Sequence, residues 1–328
     1  MSRANGKTGT ATVRTLSRPA DPATGLSPGD VLESCTSQMT YKVEKRLGAG
    51  SFGTVWLCRE SRRGERRAVK VLPADHAQEL ATEVAQARRA CDAAGEYYVP
   101  KLYEASEASI FGRKGPKHLL IAMEFINGTT ASNMAYGTVI PAKCTRTILG
   151  DVATALNRLH HFRIIHRDVK GDNVMVSCEG CSFLCDFGIS AHEEELRSRG
   201  ELNPVGTPDF MAPEILGKVP EFSEKVDVWA FGILAIELST GSTPARELRL
   251  PDAHSTMEYI AMSRPPTVPH VPGYPVAFAH AVESCLKRNP AHRPSMHELL
   301  QGEWVRSQEG DAGYELVASH IKGHMRLR

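Results

Sequence analysis

One short run constrains this chain more than any other: His166-Arg167-Asp168-Val169-Lys170-Gly171-Asp172-Asn173, followed after an apolar segment by Asp186-Phe187-Gly188. It gathers a proton acceptor, an ammonium suited to face phosphate, and two oxygen donors for a hard metal ion. Phosphoryl transfer needs that inventory. A carboxylate, here Asp168, orients the attacking hydroxyl and takes its proton, while Lys170 with magnesium offsets charge on the phosphoryl oxygens. Magnesium prefers oxygen ligands and keeps several waters, so Asn173 and Asp186 suffice beside the phosphates.

These residues resemble the catalytic loop and D-F-G motif of the eukaryotic protein kinases, and other signatures of that family follow in order. Gly48-Ala49-Gly50-Ser51-Phe52-Gly53-Thr54-Val55 resembles the glycine-rich loop over ATP. Ala68-Val69-Lys70 resembles the strand carrying the ATP lysine, and Ala212-Pro213-Glu214 the end of the activation segment. Asp227-Val228-Trp229 and Arg293-Pro294-Ser295 resemble later structural markers. The resemblance covers residues 41 to 304 and implies an α+β, two-lobed fold. Its N-lobe, about 41–125, is expected to be mostly antiparallel sheet plus one helix, and its C-lobe, about 126–304, mostly helical. Residues 1–40 and 305–328 fall outside it and are expected to be a disordered N-terminal tail and a solvated C-terminal tail.

The resemblance also implies substrate class. Lys170 and the run from Gly206 through Thr207 to Glu214 are similar to serine/threonine kinases, closest to the sterile-type group of MAP-kinase cascades. Thr207 is implied to bond near Asp168 and Lys170 and to help place a small hydroxyl substrate. Asp172 and Glu237 match positions that attract basic residues in a substrate. The implied function is transfer of the γ-phosphate of ATP to Ser/Thr hydroxyls of proteins, with dual specificity or a pseudokinase scaffold as the alternatives.

Composition agrees without being able to find this. A chain of 328 residues, 41% hydrophobic, is long enough for one large core or two moderate ones. A net charge of +1 argues against a general polyanion binder, so no nucleic-acid partner is expected. There is no run of about 18 apolar residues and no signal-peptide h-region, so no membrane partner is expected either. The protein is expected to be cytoplasmic, a monomer or a member of transient complexes, with nuclear or organellar placement left open. Its eight cysteines are expected to be free thiols.

Residue patterns fill in the sites. Residues 41–47 and 54–58 read as strands on either side of the glycines, so the loop reads as a flap over phosphates rather than a strand-to-helix turn. Leu47, Gly48, Ala49, Gly50, Ser51, Phe52, Gly53, Thr54 and Val55 are therefore candidates for nucleotide binding. The alternation of residues 66–72 puts Ala68 and Lys70 on one face. A buried lysine needs a carboxylate, and the next helix offers Glu79 and Glu83. The family's spacing selects Glu83. The apolar run 118–126 resembles the hinge, with Met123 at the gatekeeper position. Backbone groups of Glu124 and Ile126 are implied to pair with adenine, and Met175 joins Leu47, Val55 and Ala68 on its ring faces.

Three smaller expectations concern cysteines and regulation. Cys178-Glu179-Gly180-Cys181 reads as a hairpin turn rather than a zinc site, and Cys185 is a candidate reactive thiol if it faces the ATP slot. Arg167 commonly pairs with a phosphate on the activation segment, yet Asn203 stands where a threonine is usual. Ser190 and Ser198 remain candidate phosphosites, and Glu193, Glu194, Glu195 and Glu201 supply negative charge without modification.

Overall fold

The computed structural model describes residues 21–22, 24–49, 53–95, 97–199, 204–217, 222–306 and 311–326. About 44% of the described residues are helix and 21% strand, the strands concentrated early and the helices late, which makes the fold α+β. Two compact units are formed, one from Met1–Ala74 with Ser106–Leu120, the other from Asp75–Ala105 with Ile121–Arg328.

The first unit is sheet. It contains β1 (Val31–Ser34), β2 (Thr40–Ala49), β3 (Thr54–Glu60) and β4 (Arg66–Pro73), with residues 106–110 of β5 (Leu102–Ile110) and 118–120 of β6 (His118–Glu124). The strands close into a barrel in the order β1-β2-β3-β4-β6-β5. β2 and β3 flank the glycine-rich loop as an antiparallel pair, Ala49 opposite Thr54, and their register shifts between Arg46 and Gly48. In β4 the side chains alternate as the period-two pattern requires, with Arg67, Val69 and Val71 buried on one face and Ala68 and Lys70 on the other. Leu26, Leu32, Tyr41, Val43, Trp56 and Leu72 complete the interior.

The second unit is mostly helical. Its helices are α1 (Ala77–Ala94), α2 (Ala131–Ala135), α3 (Ala142–His161), α4 (Glu193–Arg199), α5 (Lys225–Thr240), α6 (Pro244–Glu247), α7 (Ala253–Met262), α8 (Val276–Cys285), α9 (Met296–Gln301), α10 (Glu303–Arg306) and α11 (Asp311–Arg326). Two small sheets pair β7 (Gly128–Thr130) and β10 (Ser182–Leu184) with β9 (Val174–Ser177), and β11 (Ala191–His192) with β8 (Ile164–Ile165). Residues 226–239 of α5 are buried all round, as befits a helix apolar on every side at the centre of a core. α3 buries Ile148, Leu149, Val152, Leu156 and Leu159 at helical spacing. Among the described residues no helix is long and apolar enough to cross a membrane.

Three expectations change. The segment assigned to a tail ending at residue 40 contains β1, whose Leu32 faces Tyr41 of β2 and Ile110 of β5, and a fully buried Leu26. Too few large apolar residues precede residue 41 to fold alone, but added to an existing sheet they need only cover its edge. At the other end α11 is packed, with Val317 and Ile321 fully buried one turn apart in the core. The lobe boundary also moves. α1 belongs with the second unit, where Arg158 of α3 donates to its last-turn carbonyl at Ala94 (2.7 Å) and lies over the Tyr98 ring.

Two buried carboxylates carry much of this packing. Arg293, 3% exposed, grips Glu214 through both guanidinium nitrogens, Nη1 to Oε1 at 2.6 Å and Nη2 to Oε2 at 2.7 Å. Its remaining donors reach the Lys225 and Lys287 carbonyls, and its plane stacks 5.0 Å from the Trp229 ring. Asp151 of α3 accepts from the Ser182 N–H (2.9 Å) and from the Tyr314 hydroxyl of α11 (2.9 Å). The turn at Gly180 can approach α11 because a Cβ there, at φ +94°, lies 2.0 Å from the Tyr314 carbonyl oxygen.

Glu214→Gln leaves the Arg293 charge buried without its partner. Urea unfolding is expected to show a loss of about 3 to 5 kcal/mol with the slope unchanged. Burial pushes the Asp151 carboxyl up to about 6, against the hydrogen bonds from Ser182 and Tyr314 that lower it. An acid with a raised folded pKa stabilises most below its unfolded value, near 3.8, and that contribution is lost as pH rises through about 6. Relative to Asp151→Asn, the wild type is therefore expected to lose on the order of 3 kcal/mol between pH 4 and pH 7 in parallel denaturation curves.

Candidate active site

The catalytic loop is held from below by α5. Asp227, fully buried, accepts the backbone N–H groups of His166 (2.8 Å) and Arg167 (2.9 Å) and the Nε2–H of His160 (2.8 Å). Burial disfavours its charge, but the His160 hydrogen bond and the nearby imidazoles outweigh this and hold its carboxyl below the usual carboxylate range. His160, at the end of α3, thereby clamps Asp227. Arg167 sits at φ 70° and Asp186 at φ 64°, in the left-handed region that costs a non-glycine residue energy. The bonds to Asp227 hold that strain at Arg167. His166 accepts from the Asp168 N–H through Nδ1 (3.3 Å), so its Nε2 donates to the Cys185 carbonyl (3.1 Å).

Asp168 is the centre of the cluster. Its Oδ2 receives Lys170 Nζ at 2.7 Å and Asn173 Nδ2 at 2.9 Å, and its Oδ1 receives the Thr207 hydroxyl at 2.8 Å and the Thr207 N–H at 3.0 Å. Lys170 also bonds Thr207 Oγ1 at 2.6 Å. Burial works to raise the Asp168 carboxyl, yet the bond and charge of Lys170 and the Thr207 bond prevail and hold it below the ordinary range. The group is thus an oriented carboxylate at neutral pH. Gly206 makes this geometry possible: at φ +118° its hypothetical Cβ lies 2.7 Å from the Arg167 carbonyl oxygen, so only glycine lets Thr207 reach Asp168.

Asn173 and Asp186 are joined through the backbone, since the Asn173 carbonyl accepts the Cys185 N–H at 2.7 Å. With Nδ2 turned to Asp168, the amide of Asn173 presents its oxygen as the remaining ligand atom. Asp186 is exposed and accepts only a long bond, 3.3 Å, from the Gly188 N–H. One amide oxygen and one exposed carboxylate fit magnesium, which takes oxygen ligands and retains water. Phe187 is buried edge-on to His166, ring centroids 5.0 Å apart. On α1 Glu83 is buried, its carboxyl carbon 4.0 Å from where a Cβ on Gly188 stands, whereas Glu79 is exposed beside His76. The burial favours Glu83 as the inward carboxylate. Met123 and Glu124 are half-buried and Ile126 is 7% exposed; the Glu124 N–H already donates to Lys101 (2.8 Å). Met175 on β9 is half-buried opposite Phe183.

The first unit supplies the other candidates. Lys70 lies opposite Val55 in the β3–β4 ladder, with Ala68 two residues away on the same face. Leu47, Gly48 and Ala49 end β2 exposed, and Gly53 and Thr54 restart the chain buried. Gly50, Ser51 and Phe52 lie outside the described residues, as do Asn203 and Glu201.

Several side chains take other roles than the sequence suggests. Cys185 donates to the Phe183 carbonyl (3.5 Å) and its thiol is pushed up to about 12, first by burial, so it lacks the thiolate a reactive cysteine needs. Ser190 is 4% exposed and bonded to the Phe187 carbonyl, which withdraws it as a phosphosite, while Ser198 is exposed. Glu195 pairs with Arg89 of α1 at 2.7 Å. The Arg167 guanidinium lies over the Phe222 ring at 5.2 Å. Glu237 is 2% exposed and accepts from Ser132 (2.8 Å), so of the two candidate contacts for basic substrate residues only Asp172 is exposed. No local sequence signal marks His160 or Ser132, because their partners lie 67 and 105 residues away.

Comparison with known proteins agrees with this geometry. The protein kinase domain model matches residues 41–305. The chain is similar to Myosin-IIIb of Mus musculus, 30% identical over 293 residues, 85% of this chain and 22% of that protein. It is similar to serine/threonine-protein kinase dst1 of Dictyostelium discoideum, 30% identical over 274 residues, 83% and 35% of the two chains. Serine/threonine-protein kinase pakH of the same organism is 29% identical over 299 residues, 89% and 55%. The chain spans between about a fifth and about a half of the length of these relatives. With a match running from β2 into α10 and through every residue of the Asp168 cluster, the chain belongs to the protein kinase family, beside serine/threonine kinases of the sterile-type group.

Proposed function

We propose that this chain is an ATP-dependent protein serine/threonine kinase. The observation that carries the reading is the Asp168 carboxylate, held charged between Lys170, Asn173 and Thr207. In this reading Asp168 orients a Ser or Thr hydroxyl and accepts its proton as the oxygen attacks the γ-phosphorus of ATP. Lys170 balances charge on the phosphoryl group, and Thr207 sets the distance at which a small hydroxyl fits. The bond from the attacking oxygen to phosphorus forms as the bond to the β-γ bridging oxygen breaks, and ADP leaves.

Lys70 takes the nucleotide phosphates, with Glu83 as its carboxylate partner. The loop from Gly48 to Gly53 covers them, and Thr54 ends it. Leu47, Val55, Ala68 and Met175 line the ring faces, Met123 bounds the slot, and the Glu124 carbonyl and Ile126 backbone take the adenine edge. Because the Glu124 N–H is spent on Lys101, its carbonyl is the group left to offer. Asn173 and Asp186 would hold magnesium, which supplies positive charge to the phosphate oxygens. The partners are protein substrates rather than nucleic acid or membrane, met as a monomer or in transient complexes in the cytoplasm. The exposed Asp172 favours a modest preference for basic residues near the acceptor.

The test is incubation of the purified chain with labelled ATP, magnesium and a degenerate peptide library. Label is expected on Ser/Thr peptides, with kcat falling by about 100- to 10,000-fold in Asp168→Asn and peptide KM little changed. Absence of transfer by the wild type would make the chain a pseudokinase, and label on tyrosine would make it dual-specific.

A further inference from the structure

We infer that Asp21 is a positioning residue for the nucleotide: carried by a strap N-terminal to the sheet, its buried carboxylate ties together the two strands that hold the glycine-rich loop. The inference rests on reading that loop as the cover over ATP phosphates. Arg46 stands on β2 two residues before Gly48, and Thr54 on β3 directly after Gly53. Both reach the same carboxylate. Thr54 Oγ1 donates to Asp21 Oδ2 at 3.1 Å, and Arg46 Nη2 lies 3.5 Å from Oδ1. Thr54 is 1% and Asp21 6% exposed, so the Thr54 bond is made inside the unit, while the Arg46 side chain is half-exposed.

The strap itself is fixed, which a tie requires. Thr24 donates to Asp21 Oδ2 from its N–H (3.1 Å) and its hydroxyl (2.7 Å). The Asp21 N–H donates to the Leu26 carbonyl at 2.8 Å, closing a turn over the buried Leu26. His118 Nε2 meets the Thr24 carbonyl at 2.8 Å, and the Gly29 N–H and Val43 N–H exchange bonds with Val43 and Asp30 at 2.8 Å each. The carboxylate therefore cannot follow the loop if its two strands spread. Burial favours the neutral acid, but the Thr24 and Thr54 bonds and the Arg46 charge hold Asp21 below the ordinary range and keep it ionised at neutral pH.

The tie falls beside an irregularity of the sheet. The β2–β3 ladder shifts register between Arg46 and Gly48, so backbone pairing alone leaves the entry to the loop loosely set. A charged group that accepts a bond from Thr54 and pairs with Arg46 across that irregularity restores a fixed span. A loop of fixed span loses less freedom when it closes on phosphates, and the gain appears in nucleotide affinity rather than in the chemical step.

The experiment uses the full chain carrying Asp21→Ala, Asp21→Asn or Thr24→Val, which removes the Thr24 hydroxyl bond to Asp21, with amide exchange over residues 46–56 and steady-state kinetics in both ATP and peptide. Exchange is expected to quicken at the loop ends, and KM for ATP to rise about 3- to 10-fold while kcat and peptide KM hold. The Asp21→Ala/Thr24→Val double variant is expected to be no worse than Asp21→Ala. If Asp21→Ala does not fold, Thr24→Val, which removes one bond to the same carboxylate, carries the same test. The inference is overturned by unchanged exchange, by faster exchange with an unchanged KM for ATP, or by all kinetic constants moving together with a lowered Tm. Lys70→Met is run alongside. If it leaves ATP binding intact, the nucleotide reading has failed, and the exchange data still decide whether Asp21 holds the strands.

Discussion

The Asp227 carboxylate, buried in the first turn of α5, is the fixed point of the second unit. It takes two consecutive backbone N–H groups of the catalytic loop and a ring N–H from the end of α3. A buried charge is costly unless paired and bonded, and three donors meet that condition. In return the loop is held with Arg167 at a positive φ, which points Asp168 toward Lys170, Asn173 and Thr207. The catalytic geometry is thus set by core packing, since α5 is buried along its length and has no room to shift.

The activation segment is anchored at three places by different physics. Thr207 bonds Asp168 directly, Glu214 is gripped by Arg293, and Glu195 pairs with Arg89 on α1. The first two are buried and firm. The third is half-exposed, screened by salt and worth little by itself. The Arg167 guanidinium lies over the face of Phe222. An aromatic face gives the guanidinium an electrostatic partner that needs no modification, in keeping with the asparagine at position 203.

The catalytic loop, the D-F-G run and the β2–β4 strands were legible in sequence because their chemistry or alternation is local. Glu83 was selected over Glu79 by the resemblance to the family, and Glu83 is the buried one of the two. The two ends were misread for a shared reason. β1 is four residues long and α11 buries only a narrow stripe, so neither shows a strong period by itself. Each acquires its structure from elements far away in sequence, β1 from β2 and β5, α11 from Asp151 and the turn at Gly180. Glu237 and Ser190 were misjudged by matching position without burial, which a sequence does not display. Asp21 lies in a polar stretch of low complexity where nothing singles out one carboxylate from its neighbours.

The most direct measurement is the single-turnover rate of phosphoryl transfer in Asp227→Asn, with nucleotide affinity and unfolding midpoint recorded on the same sample. An amide can keep one acceptor but not the charge that binds two backbone N–H groups and His160. The account predicts a rate lower by about 100-fold or more with nucleotide affinity unchanged, because misplacing Asp168 harms the chemical step alone. A folded variant with a wild-type transfer rate would contradict it.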